Sequence, residues 1–279
     1  MKMKKVILMC CKYLIVLPVA FALATLSSCE KVIDLDLNGA EKKYVIEAQV
    51  TDEPGKATVL ISQTKDFDED NNFSGITGAT VTVTEEGGPS VTFSETSPGV
   101  YRHAALAAAA GKNYHLSVLV NGETFTASCR MPERVNLDTV YTTDEFIFTA
   151  TRKVTNADYQ DPPGRGNYYR FVQYINNIRV RQIIVQSDEY TDGRYVNNKL
   201  FYFAEEDSNE PEEIKSGDTV KVEMLCIDPA IYKYWYSLSR SATGVSGQAT
   251  PANPVTNMKG GALGYFSVHT MQAKTAVVP

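Results

Sequence analysis

Histidine is nearly missing from this sequence. Only His103, His115 and His269 occur in 279 residues, and none stands at metal-ligand spacing. No His-Glu-x-x-His zinc helix is present. His115 alternates with Tyr114 and Leu116, which predicts an edge or surface position on a strand rather than ligation. The run Gly244-Val245-Ser246-Gly247-Gln248 lacks the second glycine of a nucleophile elbow. No glycine loop suited to cradling phosphate follows a strand, and the glycines of 259–264 precede one instead. Carboxylates far apart in the chain could still meet in space. No pattern of spacing points to such a pair, and the expectation is a protein without enzymatic activity.

Cysteine is scarce too. Of five, Cys10, Cys11 and Cys29 fall in the first 29 residues, leaving Cys129 and Cys226. A chain of this length can bury a core without a disulfide framework. In "ETFTASCR" Cys129 shares a strand face with Phe125 and Ala127, and in "TVKVEMLC" Cys226 shares one with Val220, Val222 and Met224. Both thiols therefore face a core. An oxidising compartment would also permit a bridge between them, so both forms stay open.

Positive charge is in deficit, with 27 basic residues against 33 acidic, a net charge of −6. That argues against a nucleic acid or other polyanion as partner, because phosphate binding needs clustered Lys and Arg. An acidic surface is enough to keep an exported protein dispersed.

Only one long apolar run is present. Tyr13–Leu26 spans 14 residues without a charge, short of the ~20 that a membrane-spanning helix needs. It follows the basic Met1-Lys2-Met3-Lys4-Lys5 and precedes Ser27 and Ser28, the three-part layout of a secretory signal over residues 1–28. The ending Leu26-Ser27-Ser28-Cys29 resembles a bacterial lipobox. That resemblance implies that Cys29 becomes the first residue of the mature chain and carries covalent lipid. Several acyl chains hold a protein on a bilayer, since each buried CH₂ contributes about 0.8 kcal/mol. Losing residues 1–28 removes four lysines and no acid, leaving 23 basic against 33 acidic residues, a net charge near −10.

Beyond a polar tether at 29–42 the hydrophobic period is two. Seven short segments, "YVIEAQV", "KATVLISQT", "ATVTVTEE", "SVTFSE", "GVYRHA", "YHLSVLV" and "ETFTASC", alternate between turn signals. Asn121-Gly122 is the clearest of these signals, since a type I′ hairpin wants positive φ at both central residues. The spacing predicts a β-sandwich over 43–131, with "AALAAAAGK" as a connector rather than a helix. A boundary falls at Met131–Val135. The rest, 132–279, predicts a second β-rich domain, an antiparallel sandwich or flattened barrel, with strands "LDTVYTT", "EFIFTATRKV", "NYYRFVQYINNIRV", "RQIIVQSDEY", "KLFYFAEE", "DTVKVEMLCI" and "GYFSVHTMQAK". Two long polar loops, 155–167 and 205–218, separate some of these. One helix interrupts the β pattern. Asp228 can cap it, Pro229 suits its first turn, and Ile231, Tyr234, Trp235 and Leu238 fall on one face. The fold class is thus all-β with one short helix.

Two binding candidates remain. Asp66, Asp68 and Asp70 are spaced like the first ligands of a calcium loop, but Asn71 stands where the loop's glycine should be and Thr77 where its glutamate should be. A solvated acidic loop explains them as well. Aromatic residues crowd the second half, and Tyr168, Tyr169, Tyr174, Tyr202, Tyr232 and Tyr236 offer a partner or ligand surface. Core packing competes with that use. Alternation sends Tyr169 and Phe171 to one face and Tyr168 and Tyr174 to the other.

The segments "ITGATVTVTEEGG", "SPGVYRHAAL" and "AGKNYHLSVLVNGETFTA" are similar to the prealbumin-like, carboxypeptidase-regulatory type of Ig-like sandwich. With the lipobox in front and "ANPVTNMKGGALGYFSVHT" behind, most of the chain resembles the Bacteroidota outer-membrane lipoproteins of domain-of-unknown-function family 4249. The resemblance implies a lipid anchor on Cys29 as the only attached group, and an outer-membrane location. Glu30 behind Cys29 favours the cell surface over the periplasmic face. It further implies a TonB-dependent β-barrel transporter as partner, and a role as a non-catalytic accessory subunit in nutrient capture or uptake. The alternative is a free-standing surface lipoprotein that recognises or adheres to glycan or protein.

Overall fold

The computed structural model describes residues 41–65, 73–204, 209, 211–242 and 253–279. Cys29, the expected signal segment 1–28 and Asp66, Asp68 and Asp70 lie outside the described residues. Glu41–Pro279 forms one compact unit.

The all-β expectation holds. The strands are β1 (Tyr44–Thr51), β2 (Ala57–Gln63), β3 (Thr80–Glu85), β4 (Ser90–Thr92), β5 (Ser94–Ser97), β6 (Val100–His103), β7 (Asn113–Val120), β8 (Glu123–Arg130), β9 (Leu137–Ile147), β10 (Ala150–Gln160), β11 (Tyr168–Ile175), β12 (Ile178–Arg179), β13 (Ile184–Ser187), β14 (Tyr195–Leu200), β15 (Thr219–Cys226), β16 (Met258–Lys259) and β17 (Leu263–Val277). The helix α1 spans Pro229–Ala242. As the sequence predicts, the Asp228 carboxylate accepts a hydrogen bond from the Ala230 N–H at 2.8 Å, and Ile231, Tyr234 and Trp235 are buried.

The seven segments before residue 131 form strands, and their alternation builds a two-sheet sandwich. Ile46, Ala48 and Val50 on β1 and Val59 and Ile61 on β2 face Val81, Val83, Leu116, Val118, Phe125 and Ala127 across one core. Asn121 and Gly122 both take positive φ, 50° and 83°, as a type I′ hairpin requires. Tyr101 and Tyr114 are buried, and their hydroxyls staple loops. Tyr101 accepts from the Ala79 N–H and donates to the Ile76 carbonyl, both at 3.0 Å. Tyr114 accepts from the Ala109 N–H at 2.8 Å and donates to Glu85 at 3.1 Å.

The chain on either side of residues 131–135 does not divide into two compact units. The reason is β17. Its first half, Leu263–His269, pairs in parallel with β1, and its second half, Thr270–Val277, pairs antiparallel with β15. A strand of 15 residues reaches roughly 50 Å at about 3.3 Å per residue, long enough to serve both halves. It joins them into one nine-stranded sheet, β12-β11-β15-β17-β1-β2-β6-β5 with β13 beside β11. The short β16 adds to the opposite sheet against β8. The sandwich predicted over 43–131 is therefore completed by residues from the C-terminal end. Gly264 marks the junction: its φ is +94°, and a Cβ there would stand 2.1 Å from the Ile46 carbonyl oxygen.

The second half stacks β14-β10-β9 on one face of the β11-β15-β17 region, around Tyr159, Tyr169, Phe171, Val220, Val222 and Met224. This is a sheet pair rather than a flattened barrel. Several boundaries differ from the sequence reading; "KLFYFAEE", for one, is strand only as far as Leu200. "EFIFTATRKV" is not one strand: the chain reverses at Phe148 and Thr149, with Phe148 at φ 56°. "NYYRFVQYINNIRV" also turns, at Asn176 and Asn177, both at positive φ. The polar stretch at 155–160 is strand, with Thr155, Asn156, Ala157, Asp158 and Tyr159 buried.

Candidate functional site

The tyrosines expected at a common surface divide between core and cleft. Tyr169 and Tyr202 are buried, which corrects the expectation for both. Tyr169 belongs to the second core and donates its hydroxyl to Asp161. Tyr202 donates to the Pro211 carbonyl. On the other face of β11, Tyr168 packs against Tyr232 at 4.8 Å between ring centroids, and Tyr232 stacks with the exposed Tyr236 at 5.8 Å. Tyr174 is half-buried and lines a cleft with Arg170.

Strand register assembles that cleft. Arg170, Val172 and Tyr174 alternate on β11 and stand opposite Leu225, Glu223 and Lys221 of β15. Leu225 stands opposite Met271 on β17, and His269 stands beside Thr51 of β1. The Asn176-Asn177 turn folds Arg179 back across from Tyr174. Gln49 and Lys56 complete the lining of a cavity of about 260 Å³.

Three of the lining residues, Lys56, Arg170 and Arg179, are cationic, and Glu223 is the one carboxylate among them. Glu223 is already engaged, by the Lys221 ammonium at 2.9 Å and the Tyr174 hydroxyl at 3.1 Å. Arg170 is only 9% exposed, and its guanidinium lies 3.5 Å over the Trp235 ring. Its Nε–H has no hydrogen-bond partner. Neither Arg170 nor Arg179 has a carboxylate within ion-pairing distance among the described residues. Burial is the main cause that pulls the Arg170 pKa down to about 10, and Arg179 adds to it. Glu47, on the same face of β1, is pushed above the usual carboxylate range by burial, against the pull of Arg170 and Arg179. His269 is fully buried, shares a hydrogen bond with Ser267 at 2.8 Å through Nδ1, and has its pKa lowered to about 3 by burial and then by Arg170. Ser267 and His269 resemble a nucleophile and its base, but a third group orienting the imidazole is not found among the described residues.

A second cluster lies at the β10–β11 and β13–β14 loops. Carboxylate oxygens of Asp161, Asp188 and Asp192 lie within 4.8 Å of one another. Hard oxygens so grouped could hold a divalent cation. Backbone N–H groups already occupy them: Gly193 donates to Asp161 at 3.2 Å, Gly166 and Asn167 to Asp188 at 2.8 and 3.0 Å, and Gly164 to Asp192 at 2.7 Å. These bonds staple two glycine-bearing loops. Burial raises the Asp161 pKa. The sequence reading missed this cluster, because Asp161 is 27 residues from Asp188 in the numbering and no motif joins them.

The remaining histidines are placed as structural groups. The His103 Nδ1 accepts from the Leu106 N–H at 2.9 Å, and the exposed His115 shares a hydrogen bond with Ser128 at 2.9 Å. Both cysteines are free and buried. Another cavity, of about 340 Å³, lies where residues 130–135 meet 166–169 and 226–229. Its Asp228 is spent on capping α1. The cleft around Arg170 holds the one Lys or Arg that is buried among the described residues, and that residue has no ion-paired carboxylate.

A family model described as Domain of unknown function (DUF4249) matches residues 30–275. The chain belongs to this family. Comparison with curated proteins found no match. The DUF4249 match takes in the sandwich, the stacked second half and every residue of the Arg170 cleft.

Proposed function

We propose that this DUF4249 protein is a Bacteroidota lipoprotein of the outer membrane, anchored through lipid on Cys29. In this reading it is a non-catalytic accessory subunit of a TonB-dependent transporter in nutrient capture. The observation that carries the reading is the order of segments. An apolar run ends at Leu26-Ser27-Ser28-Cys29, the family match starts at the next residue, and the compact unit begins at Glu41. That order suits a lipid anchor, a short tether and a β-rich body held at a membrane surface. The prealbumin-like, Ig-type character of the sandwich belongs to the same reading.

A surface for a partner is supported by the β9–β10 hairpin. Phe146 and Phe148 at its tip are 75% and 84% exposed, and Phe148 lies 6.2 Å from the half-exposed Phe203. Exposed aromatic groups of this kind mark interaction sites.

The test is purification from native membranes in mild detergent with a tag after Pro279, followed by mass spectrometry. The reading expects a chain lacking residues 1–28, acylated on Cys29, and a stoichiometric β-barrel. A lone acylated chain would move the function to a free-standing surface binding or adhesion lipoprotein, a reading that the ligand-sized cleft also favours.

A further inference from the structure

We infer that the cleft between β1, β11, β15 and β17 is a binding site for a small anionic solute, whose paired anionic oxygens sit on Arg170 and Arg179. The inference concerns ligand chemistry and does not depend on any membrane partner.

Four observations converge on it. Arg170 is 9% exposed, and its guanidinium lacks both a carboxylate within ion-pairing distance and a hydrogen-bond partner for its Nε–H. Desolvating a charge without a partner is costly, and folds retain such a group chiefly where something else completes it. Second, Arg170 opens into a cavity instead of packed core. The Trp235 ring packs against its guanidinium at 3.5 Å. The planar fork of a guanidinium is the geometry that grips a carboxylate or phosphate through two parallel hydrogen bonds. Third, Arg179 and Lys56 bring two more cations to the same cavity, in a chain with a net charge of −6. Like charges gathered in this way repel one another until an anion joins them. Fourth, of the two carboxylates near Arg170, Glu223 is held by Lys221 and Tyr174, and Glu47 stands beyond ion-pairing distance of either arginine and is pushed toward its neutral form by burial.

The remaining lining sets the size and character of the solute. About 260 Å³ suits a small molecule and excludes a folded partner. Val172, Leu225 and Met271 give one apolar wall, and Gln49, Thr51 and the Tyr174 edge give hydrogen-bonding groups. The ligand is then a compact solute with one anionic end and an uncharged body. The shared chemistry is a pair of anionic oxygens, which an organic carboxylate or a phosphate can supply.

Isothermal titration of the full chain in detergent, with inorganic phosphate and separately with succinate, tests the site. Binding of either supports it: phosphate alone points to phosphorylated solutes, succinate alone to carboxylic acids. Binding should weaken as sodium chloride is raised. It should fall about tenfold in Arg179→Gln, where one charge-assisted hydrogen-bonding group is lost from an exposed position. It should vanish in Arg170→Met with circular dichroism unchanged. Should Arg170→Met fail to fold, Arg179→Gln and Lys56→Gln carry the test. Absence of binding by both anions at millimolar concentration, or binding that Arg179→Gln and Arg170→Met leave intact, overturns the inference. Neither result changes what co-purifies from membranes, so this failure is distinct from failure of the transporter reading.

Discussion

The guanidinium of Arg170 lies 3.5 Å over the ring of Trp235, and that ring comes from the only helix among the described residues. The helix thus holds a buried cation against the sheet from above, while β11 presents it from below. This arrangement gives the cleft its charge and also a stability cost.

Removing that charge should therefore not harm the fold. The orphaned Nε–H of Arg170 costs about 1–3 kcal/mol, whereas a cation over an aromatic face returns roughly 0.5–2 kcal/mol. Arg170→Met keeps an unbranched apolar stem without the guanidinium and is expected to leave the melting temperature unchanged or to raise it by about 2–4 °C, the shift for ~1 kcal/mol in a domain of this size. Differential scanning fluorimetry in anion-free buffer measures this. A fall of several degrees would mean that the guanidinium has a stabilising partner in the fold.

The junction at Gly264 should be intolerant. A Cβ would meet the Ile46 carbonyl oxygen at 2.1 Å, and the φ of +94° is one that side chains rarely adopt. Gly264→Ala is expected to cost about 3 kcal/mol or more. In hydrogen exchange, the amides of β1 should lose protection before those of β7. Wild-type protection in β1 of the alanine variant would contradict the parallel β1–β17 pairing.

Acid should weaken the fold through His269. Its folded pKa is lowered to about 3, by burial first and Arg170 second, from an ordinary value of 6.5. Between these values the unfolded chain takes up a proton that the folded one refuses. The contribution is present above about pH 6.5 and is lost as pH falls toward 3, since stability declines wherever the unfolded state binds more protons. His269→Gln should flatten the decline in urea midpoint between pH 6.5 and 4. An unchanged slope would assign the acid sensitivity to carboxylates.

Thiol chemistry should be silent in the native state. Cys129 and Cys226 are buried and free, and burial pushes the Cys129 thiol up to about 12. Both thiols are held by neighbouring backbone, Cys129 by Val268 at 3.2 Å and Cys226 by Val135 at 3.4 Å. Iodoacetamide at pH 8 is expected to modify neither in buffer and both in urea, because only the thiolate reacts and access is needed. Rapid native alkylation of either would place it at the surface.

The aromatic hairpin tip should matter for association and not for folding. Phe146→Ser with Phe148→Ser changes positions that are 75% and 84% exposed. Its effect on stability should stay within about 0.5 kcal/mol per site. If the tip docks on a transporter, the double variant should lose co-purifying barrel. Undiminished co-purification would put the contact elsewhere.

Much of the β architecture was legible because one face of each early strand is buried. Ile46, Ala48 and Val50, or Leu116, Val118 and Val120, give a period of two that chain order alone reveals. The helix was legible from Asp228, Pro229 and the spacing of its buried residues. Turns at Phe148 and at Asn176-Asn177 escaped notice because no glycine or proline marks them. Residues 155–160 read as loop because their buried positions include Thr155, Asn156 and Asp158, and two of these polar groups find partners far along the chain, Thr155 in Gln173 of the facing sheet and Asp158 in Asn197 of the neighbouring strand β14. Tyr169 reads as a surface candidate by residue type, whereas the structure buries its ring in the second core and turns its hydroxyl to Asp161. The Arg170 cleft could not be read in advance. It draws on five strands from both ends of the chain, and it exists because β17 changes partner from β1 to β15 midway. Pairing between the first and last strands leaves no local trace in sequence.

The most direct measurement is nitrogen-15 NMR of the full chain, following the Nε–H of Arg170 as phosphate or succinate is added. A buried, unpartnered guanidinium predicts a resolved signal that is assigned by its loss in Arg170→Met, exchanges slowly with water, and shifts saturably with the anion. A signal averaged with the solvent-exposed arginines and indifferent to both anions would contradict the account.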